Sequence, residues 1–279
     1  MRITSGGCTD VGRVRTNNED SFRIVAPLDL FVLSDGMGGE AHGEVASALA
    51  VETVASHCLE AVHNPSAPFF GERNAALSER TNRLASAIRL ANRKIHEAAT
   101  TNAAQRGMGA TVIAAWVQEH RISVAHVGDS RAYLLRSGSL DQLTRDHSLV
   151  AEQVRRGILT PQQADESEMQ SVLIRALGTQ PEVEVDADEH ALLDGDAVVI
   201  CSDGLTRMVT DPEIASTLLT EPVPQKSAER LVVLANENGG EDNVTVIVMQ
   251  VQPAASNLVA RLRRWFGSPS DAPASAGGN

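Results

Sequence analysis

The chain has 279 residues, of which 42% are hydrophobic and 22% are charged, and its formal net charge is −12 at pH 7. This composition is typical of a soluble globular protein, and no apolar run approaches the ~18 residues of a membrane helix. The acidic excess argues against generic nucleic-acid binding but leaves room for divalent cations. Because residues 1–10 lack the apolar core of a secretory signal, we expect a cytoplasmic protein.

The three cysteines, Cys8, Cys58 and Cys201, lie far apart in the sequence. An odd number at wide spacing predicts neither a disulfide framework nor a CxxC metal or redox site. We therefore expect these cysteines to pack as small hydrophobic side chains.

The first part of the chain alternates short apolar runs with two long helical patterns. Strands are predicted near residues 3–8, 21–26 and 30–34. Helices are predicted at about 42–62 and 72–99, because apolar residues recur there at near-helical spacing. The residues expected to face the core are Val45, Leu49, Val54 and Leu59 in the first helix, and Leu77, Leu84, Ile88, Ala91 and Ile95 in the second.

The second part of the chain begins with three strand-like runs joined by short turns, which predict antiparallel hairpins. These runs are residues 108–117, 121–127 and 131–136, and they are followed by a polar segment, 147–180, that is expected to form a surface flap. Further strands are predicted near 183–190, 196–202 and 244–251, with helices near 211–220 and 224–237. Two groups of strands alternating with two pairs of helices favour an α/β sandwich over a parallel βαβ sheet.

The composition shifts to Ala, Ser, Pro and Gly from Pro253 onward, which predicts a domain over residues 1–252 and a tail over 253–279. Within the tail, residues 256–267 place apolar side chains near one helical face, with Arg261, Arg263 and Arg264 around it. One interpretation is packing on the domain or disorder. The other is a peripheral membrane or partner contact.

Carboxylates recur where apolar runs begin or stop. They are Glu19 and Asp20 before SFRIV, Asp35 in FVLSDGMGG, Asp129 in a Gly-Asp-Ser turn, Asp203 in AVVICSDG, and Glu241 and Asp242 before NVTVIVMQV. A single Asp-Gly is an ordinary turn, but five strand ends that converge at one edge would repel each other unless cations intervene. Such oxygen ligands suit Mg²⁺ or Mn²⁺ rather than zinc. The glycine after the acid allows a tight turn, so that the Gly36 carbonyl can approach an ion.

Seven segments occur in order between residues 3 and 251: DVGRVRTNNEDSF, FVLSDGMGG, GATVIAAWV, VAHVGDSRAYLL, RDHSLV, ICSDGLT and GGEDNVTVIVMQV. Together they resemble the successive motifs of the bacterial type 2C (PPM) metal-dependent serine/threonine protein phosphatases. The resemblance implies an α+β fold, a four-layer αββα sandwich of two antiparallel sheets flanked by helix pairs. It also implies hydrolysis of phosphoserine and phosphothreonine in proteins, opposing a serine/threonine kinase in bacterial signalling.

The same resemblance implies two Mn²⁺ or Mg²⁺ ions at one end of the sandwich, with hydroxide between them as the attacking group. By its motifs, Asp35 would bridge the ions, Asp203 and Asp242 would bind the first, Asp20 and the Gly36 carbonyl would bind the second, and Asp129 would hold a third. Glu19 is a further candidate, as a partner of Asp20 at the second ion. Arg15 would clamp the phosphate, and Arg13 is the alternative if the loop registers differently.

The general acid for the departing oxygen stays unassigned. Many eukaryotic relatives have a histidine at the position of Met37, and methionine cannot donate a proton. His42 is either an acid or a residue that caps a helix or lies at the surface. His147 is expected to anchor a loop, and His126 to lie in the core or behind the site.

Two other functions compete with a phosphatase. Gly-Asp-Ser also opens the nucleophile motif of a lipase and esterase family, in which Ser130 would attack an acyl carbon. That family needs an Asp-x-x-His near the C-terminus, whereas the last histidine here is His190. A phosphothreonine-binding module without turnover is the second alternative, which the full set of carboxylates disfavours.

Overall fold

The computed structural model describes residues 1–38 and 42–253, and within them two antiparallel β-sheets lie at the centre. With strands numbered in chain order, the first sheet contains β1 (Arg2–Asp10), β11 (Val244–Gln252), β10 (Ala197–Cys201), β7 (Arg131–Arg136) and β8 (Ser139–Gln142), in that spatial order. Strands β1 and β11 pair along their whole length, from Arg2 opposite Gln252 to Asp10 opposite Val244. The two ends of the folded region therefore lie side by side in one sheet.

The second sheet contains β2 (Asp20–Val25), β3 (Leu30–Met37), β5 (Val112–Gln118), β6 (Arg121–Val127) and β9 (Asp186–Ala191), in that spatial order. A two-residue strand, β4 (Gly109–Ala110), pairs with the end of β3. The predicted strand over 108–117 is thus divided at Thr111, whose side chain is used at the site described below.

A pair of helices covers the outer face of each sheet. Helices α1 (His42–His63) and α2 (Glu79–Thr101) pack on the second sheet, and α6 (Asp211–Thr220) and α7 (Pro224–Glu237) pack on the first. Between them lie the short helices α3 (Leu149–Arg155) and α4 (Pro161–Asp165), in the predicted flap, and α5 (Asp203–Thr206). The predicted αββα sandwich is confirmed.

Residues 30–33 of strand β3 are all apolar, without the alternation of apolar and polar residues that a half-buried strand would show. Leu30 and Val32 pack toward α1 and α2, whereas Phe31 and Leu33 pack between the two sheets. Successive side chains of a strand point to opposite faces, so a strand with helices on one side and a sheet on the other is buried on both. The buried run LFVL therefore leads directly into Ser34 and Asp35 toward the end of the strand.

The predicted core stripe of α1 is wrong in part. Val45 and Leu59 are 39% and 41% exposed, and the buried face contains Ala46, Ala50, Val54 and Cys58. Small residues face inward because α1 lies close to β3, so the larger apolar side chains are displaced to the edge. Among the described helices, α1 is long and apolar enough to cross a membrane by length and composition, and half of that window is buried against the rest of the protein.

Helix α2 begins seven residues later than predicted. Ser78 caps it by accepting a hydrogen bond from the Thr81 backbone N–H, which is the usual role of a serine at this position. The preceding loop is held by Asn82, whose side chain donates to the carbonyl groups of Asn74, Leu77 and Ser78. Of the predicted stripe, Leu84, Ile88, Ala91 and Ile95 are buried, and Leu77 precedes the helix. The predicted segment 256–267 lies outside the described residues.

Candidate functional site

Asp20 and Asp35 face each other across two neighbouring strands. The register of β2 and β3 pairs these residues directly. The Asp35 backbone N–H donates to Thr111 Oγ1 at 3.1 Å, and Ser34 Oγ donates to the Thr111 carbonyl at 2.5 Å. Thr111, which lies between β4 and β5, thus holds β3 at Ser34 and Asp35 through these two hydrogen bonds.

Three further aspartates reach the same place from separate parts of the fold. Asp129 lies in the turn between β6 and β7, Asp203 begins α5 directly after β10, and Asp242 precedes β11. These three and Asp35 line one cavity of about 470 Å³. Sequence positions more than 200 residues apart therefore share one site, as predicted.

Other residues predicted for the site also line this cavity. They are Arg15, Glu19, Gly36 and Met37, and Ser171 and Leu173 of the flap are also among the lining residues. Asp20 is buried and is not among the described lining residues, but it lies opposite Asp35 in the pairing of β2 with β3. His42 and Arg13 are not among the lining residues, and the Arg13 side chain is exposed.

The carboxyl groups are unfavourable neighbours when all are charged. Burial, followed by nearby carboxylates, raises the pKa of Asp35 well above its usual range. Burial raises the pKa of Asp20 to about 7 and that of Asp129 to about 7. The pKa values of Asp203 and Glu19 are also raised by burial. Desolvation and like charge both disfavour the ionised form.

Two carboxylate oxygens of this cluster lack a hydrogen-bond partner. Asp20 Oδ1 and Asp203 Oδ1 are buried and accept no hydrogen bond from any residue that the structure describes. Buried polar atoms are normally satisfied, and these atoms are hard oxygen donors beside other carboxylates. The residues present therefore fit a divalent cation such as Mg²⁺ or Mn²⁺.

Gly36 serves a different purpose from the tight turn that the sequence suggested. It lies within β3, opposite Ala110. A Cβ atom at Gly36 would lie 2.0 Å from the Gly43 carbonyl oxygen, and one at Gly43 would lie 2.2 Å from Glu19 Oε2. The expectation of a turn is wrong, because the glycine is required by the close approach of α1 to β3.

Asn243 positions the loop that carries Arg15 and Glu19. Its side chain accepts from the Glu19 backbone N–H at 2.8 Å and donates to the carbonyl groups of Val11 and Asn17, both at 2.9 Å. Arg15 then reaches Asp242, with Nε 2.9 Å from Oδ1 and Nη2 3.0 Å from Oδ2. Asn243 was not predicted, since these partners lie more than 220 residues away.

His147 anchors the turn that carries Asp129, as predicted. Its Nδ1 accepts from the Gly128 backbone N–H at 3.0 Å, and its Nε2 lies 3.3 Å from Asp186 Oδ2. The His126 ring stacks on it at 4.7 Å between centroids, and His126 Nε2 donates to the Arg145 carbonyl. Both histidines are therefore held by these contacts, and neither is among the described residues that line the cavity.

Ser202 joins the two sheets beneath the cavity. Its Oγ donates to Asp20 Oδ2 at 2.8 Å and accepts from the Thr245 backbone N–H at 2.9 Å. Asp20 belongs to the second sheet, whereas Ser202 directly follows β10 and Thr245 lies in β11, both strands of the first sheet. This hydrogen-bonded pair was not predicted from the sequence.

The Ser202→Ala substitution is expected to lower the free energy of unfolding of the metal-free protein by about 1–3 kcal/mol, because it leaves a buried carboxylate and a buried N–H unpaired. Urea unfolding at pH 8 measures this loss. Ser216→Ala, at an exposed position of α6, is the matched control. A loss no larger than that of the control would show that Ser202 does not stabilise the junction between the sheets.

The chain resembles known proteins over most of the described region. It matches the family model described as Protein phosphatase 2C over residues 12–238. It is 35% identical over 245 residues to the serine/threonine phosphatase Stp of Listeria innocua, covering 87% of this chain and 93% of that protein.

Two solved structures are similar in fold. The Mycobacterium tuberculosis serine/threonine phosphatase PstP/Ppp has a TM-score of 0.79 and 35% identity, covering 90% of this chain and 99% of that chain. The catalytic domain of PstP in complex with two manganese ions has a TM-score of 0.75 and 37% identity, covering 90% and 99%. With the acidic cavity at the end of two antiparallel sheets, these similarities have one explanation: the chain belongs to the protein phosphatase 2C family.

Proposed function

We propose that this protein hydrolyses phosphoserine and phosphothreonine in proteins with the help of two Mn²⁺ or Mg²⁺ ions. The observation that supports this function most strongly is the convergence of Asp35, Asp129, Asp203 and Asp242 on one cavity. Burial raises the pKa values of Asp35, Asp129 and Asp203, and Asp203 Oδ1 accepts no hydrogen bond from the described residues, as expected of a site built for cations. The family to which the chain belongs supports the same reaction.

The residues proposed to hold the ions are those that the shared motifs imply, and the clustering of the carboxylates supports the proposal. Asp35, Asp203 and Asp242 are proposed to hold the first ion, and Asp35, Asp20 and the Gly36 carbonyl the second. Asp129 is proposed for a third ion, and Glu19 as a further partner of Asp20. The PstP catalytic domain, which is similar in fold, was solved with two manganese ions. Bound divalent cations would supply positive charge to the phosphoryl oxygens and lower the pKa of nearby water.

Arg15 is proposed to bind the phosphate. Its guanidinium lies at the cavity, and 56% of its side chain is exposed, so that a substrate can reach it. A guanidinium fork matches two phosphate oxygens and stabilises charge that develops on them. Once a substrate arrives, Arg15 would exchange part of its pairing with Asp242 for this contact.

The departing serine or threonine oxygen is not expected to take its proton from a histidine. No histidine is among the described residues that line the cavity, and Met37, which does line it, has no proton to donate. This arrangement is consistent with an open site in which the leaving oxygen is exposed to water.

The substrates are proposed to be products of a serine/threonine kinase, because phosphomonoesters on these side chains arise by phosphoryl transfer to a hydroxyl group. The proposed location is the cytoplasm. Its support is that all three cysteines are free, as in reducing compartments.

The test is hydrolysis of a phosphothreonine peptide with Mn²⁺, followed by excess EDTA. We expect turnover that depends on Mn²⁺ and falls to the background when the chelator is added. Ser130→Ala should retain turnover, because Ser130 is buried and is not among the described residues that line the cavity; its Oγ is hydrogen-bonded to Thr111 Oγ1 at 2.8 Å.

The competing functions predict different results. Acyl-ester hydrolysis that is indifferent to EDTA and lost in Ser130→Ala would identify an esterase. Tight binding of the phosphopeptide without release of phosphate would identify a binding module. Either result would refute the proposed phosphatase activity.

A further inference from the structure

Arg207 is a second arginine at the cavity, and neither the motifs nor the proposed chemistry assigns it a role. It follows the four-residue helix α5 directly, and its backbone N–H donates to the Asp203 carbonyl at 2.9 Å. Its Nη2 lies 2.5 Å from Asp203 Oδ2, and its Nη1 lies 4.0 Å from Asp242 Oδ2. Only 26% of its side chain is exposed, so the guanidinium is held in the wall of the cavity.

The two oxygens of Asp203 have different environments as a result. Oδ2 is paired with Arg207, whereas Oδ1 is buried and accepts no hydrogen bond from the described residues. The guanidinium also lies 4.0 Å from Asp242 Oδ2, so its positive charge faces two carboxylates of the cluster. Arg207 is therefore a counter-charge for the carboxylates as well as a partner of one oxygen.

We propose that Arg207 acts through Asp203 and Asp242 as a fixed counter-charge that weakens the binding of divalent cations at these carboxylates. This inference depends on the proposed function, because it concerns the ions of that site. In the metal-free protein the guanidinium stabilises the clustered carboxylates. A divalent cation at the same carboxylates is repelled by it, and like charges at a few ångströms interact strongly inside proteins.

Loss of orientation is the smaller effect of removing Arg207. Asp203 begins α5 two residues after the end of β10, and the Gly204 Cα lies so close to Asn243 that an added Cβ would be 2.0 Å from its carbonyl oxygen. The backbone thus fixes Asp203 without help from the arginine. The loss of the positive charge of Arg207 is therefore the change that alters the affinity for a divalent cation.

The experiment measures Mn²⁺ affinity by calorimetry on the full chain, freed of metal, for the wild type, Arg207→Gln and Arg207→Lys. The matched control is Arg230→Gln, which removes the same charge from an exposed pair with Glu237 on α7. We expect Arg207→Gln to bind Mn²⁺ about tenfold more tightly. Arg207→Lys and Arg230→Gln should remain within about twofold of the wild type.

Melting temperatures give a second result that an ordinary structural role would not produce. Metal-free Arg207→Gln should melt below the wild type, and this difference should disappear with saturating Mn²⁺. If Arg207→Gln does not fold without metal, Arg207→Met replaces it, because its apolar chain fills the same space without the charge, and the same tighter binding is expected.

Unchanged or weaker Mn²⁺ binding by the uncharged variants, in a wild type that binds Mn²⁺ and hydrolyses the phosphopeptide, would overturn the inference alone. A wild type without Mn²⁺-dependent turnover would overturn the proposed function, and the inference with it. The two failures are therefore distinguishable.

Discussion

Asp203→Asn is expected to reduce Mn²⁺-dependent hydrolysis of a phosphothreonine peptide by at least about 10²-fold, because an interaction with developing charge at a reaction centre is worth this much or more. The substitution preserves size but removes the charge of a carboxylate that lines the cavity and has one oxygen without a hydrogen-bond partner in the described part of the chain. The value of kcat/KM at saturating Mn²⁺ measures the loss. Circular dichroism shows whether the fold is kept.

The control for this substitution is Asp188→Asn, the same chemical change at an exposed position of β9. It should leave kcat/KM within about twofold of the wild type, as substitutions away from structural features usually do. Equal activity of Asp203→Asn and Asp188→Asn would show that the cavity is not the reaction centre.

The metal-free protein is expected to become less stable as the pH rises from about 4 to about 7. Burial raises the pKa of Asp20 to about 7 and that of Asp129 to about 7, so over this interval the folded state binds more protons than the unfolded state. Stability rises with pH only where the unfolded state binds more protons, so here it falls. A melting temperature at least about 5 °C lower at pH 8 than at pH 5 is expected.

The metal-bound protein provides the comparison. Saturating Mn²⁺ at pH 8 should raise the melting temperature, since a ligand that binds only the folded state stabilises it. Asp129→Asn should reduce the pH dependence of the metal-free protein. A melting temperature that rises steadily from pH 5 to pH 8 without metal would contradict the pKa values assigned to the cluster.

Some elements were predictable because their signals are local. The predicted bounds of α6 and α7 agree with the structure at both ends. In α6, Thr210 and Glu213 form a capping box, and in both helices a proline occupies the first turn. These residues act within a few positions of the helix start, so the sequence alone contains the information.

The start of α2 and the buried face of α1 were not predictable in the same way. The loop before α2 is held by hydrogen bonds from Asn82, and the face of α1 depends on how closely β3 approaches it. Both depend on contacts that form only once the chain has folded. A helical pattern shows where a helix can exist, but tertiary packing decides its limits.

The residues of the candidate site likewise fall into those with a local sequence signal and those that only tertiary contacts reveal. The aspartates could be found because each follows or precedes an apolar run, and their ordered motifs resemble a known family. Ser202, Asn243 and Thr111 were missed, because a polar residue next to a strand has no distinctive pattern until its partner is known. Arg207 did leave a signal, since it lies four residues after Asp203, a spacing that brings side chains together on a helix.

The hydrogen bonds from Ser202 to Asp20 and from Thr245 to Ser202 place one member of the acidic cluster at the seam of the sandwich. Under the proposed function, Asp20 would therefore both bind a metal ion and help to hold the two sheets together. In a bacterium depleted of manganese, the enzyme would then lose activity and would also unfold and be degraded more readily. Its cellular amount, and not only its catalytic rate, would follow the metal supply.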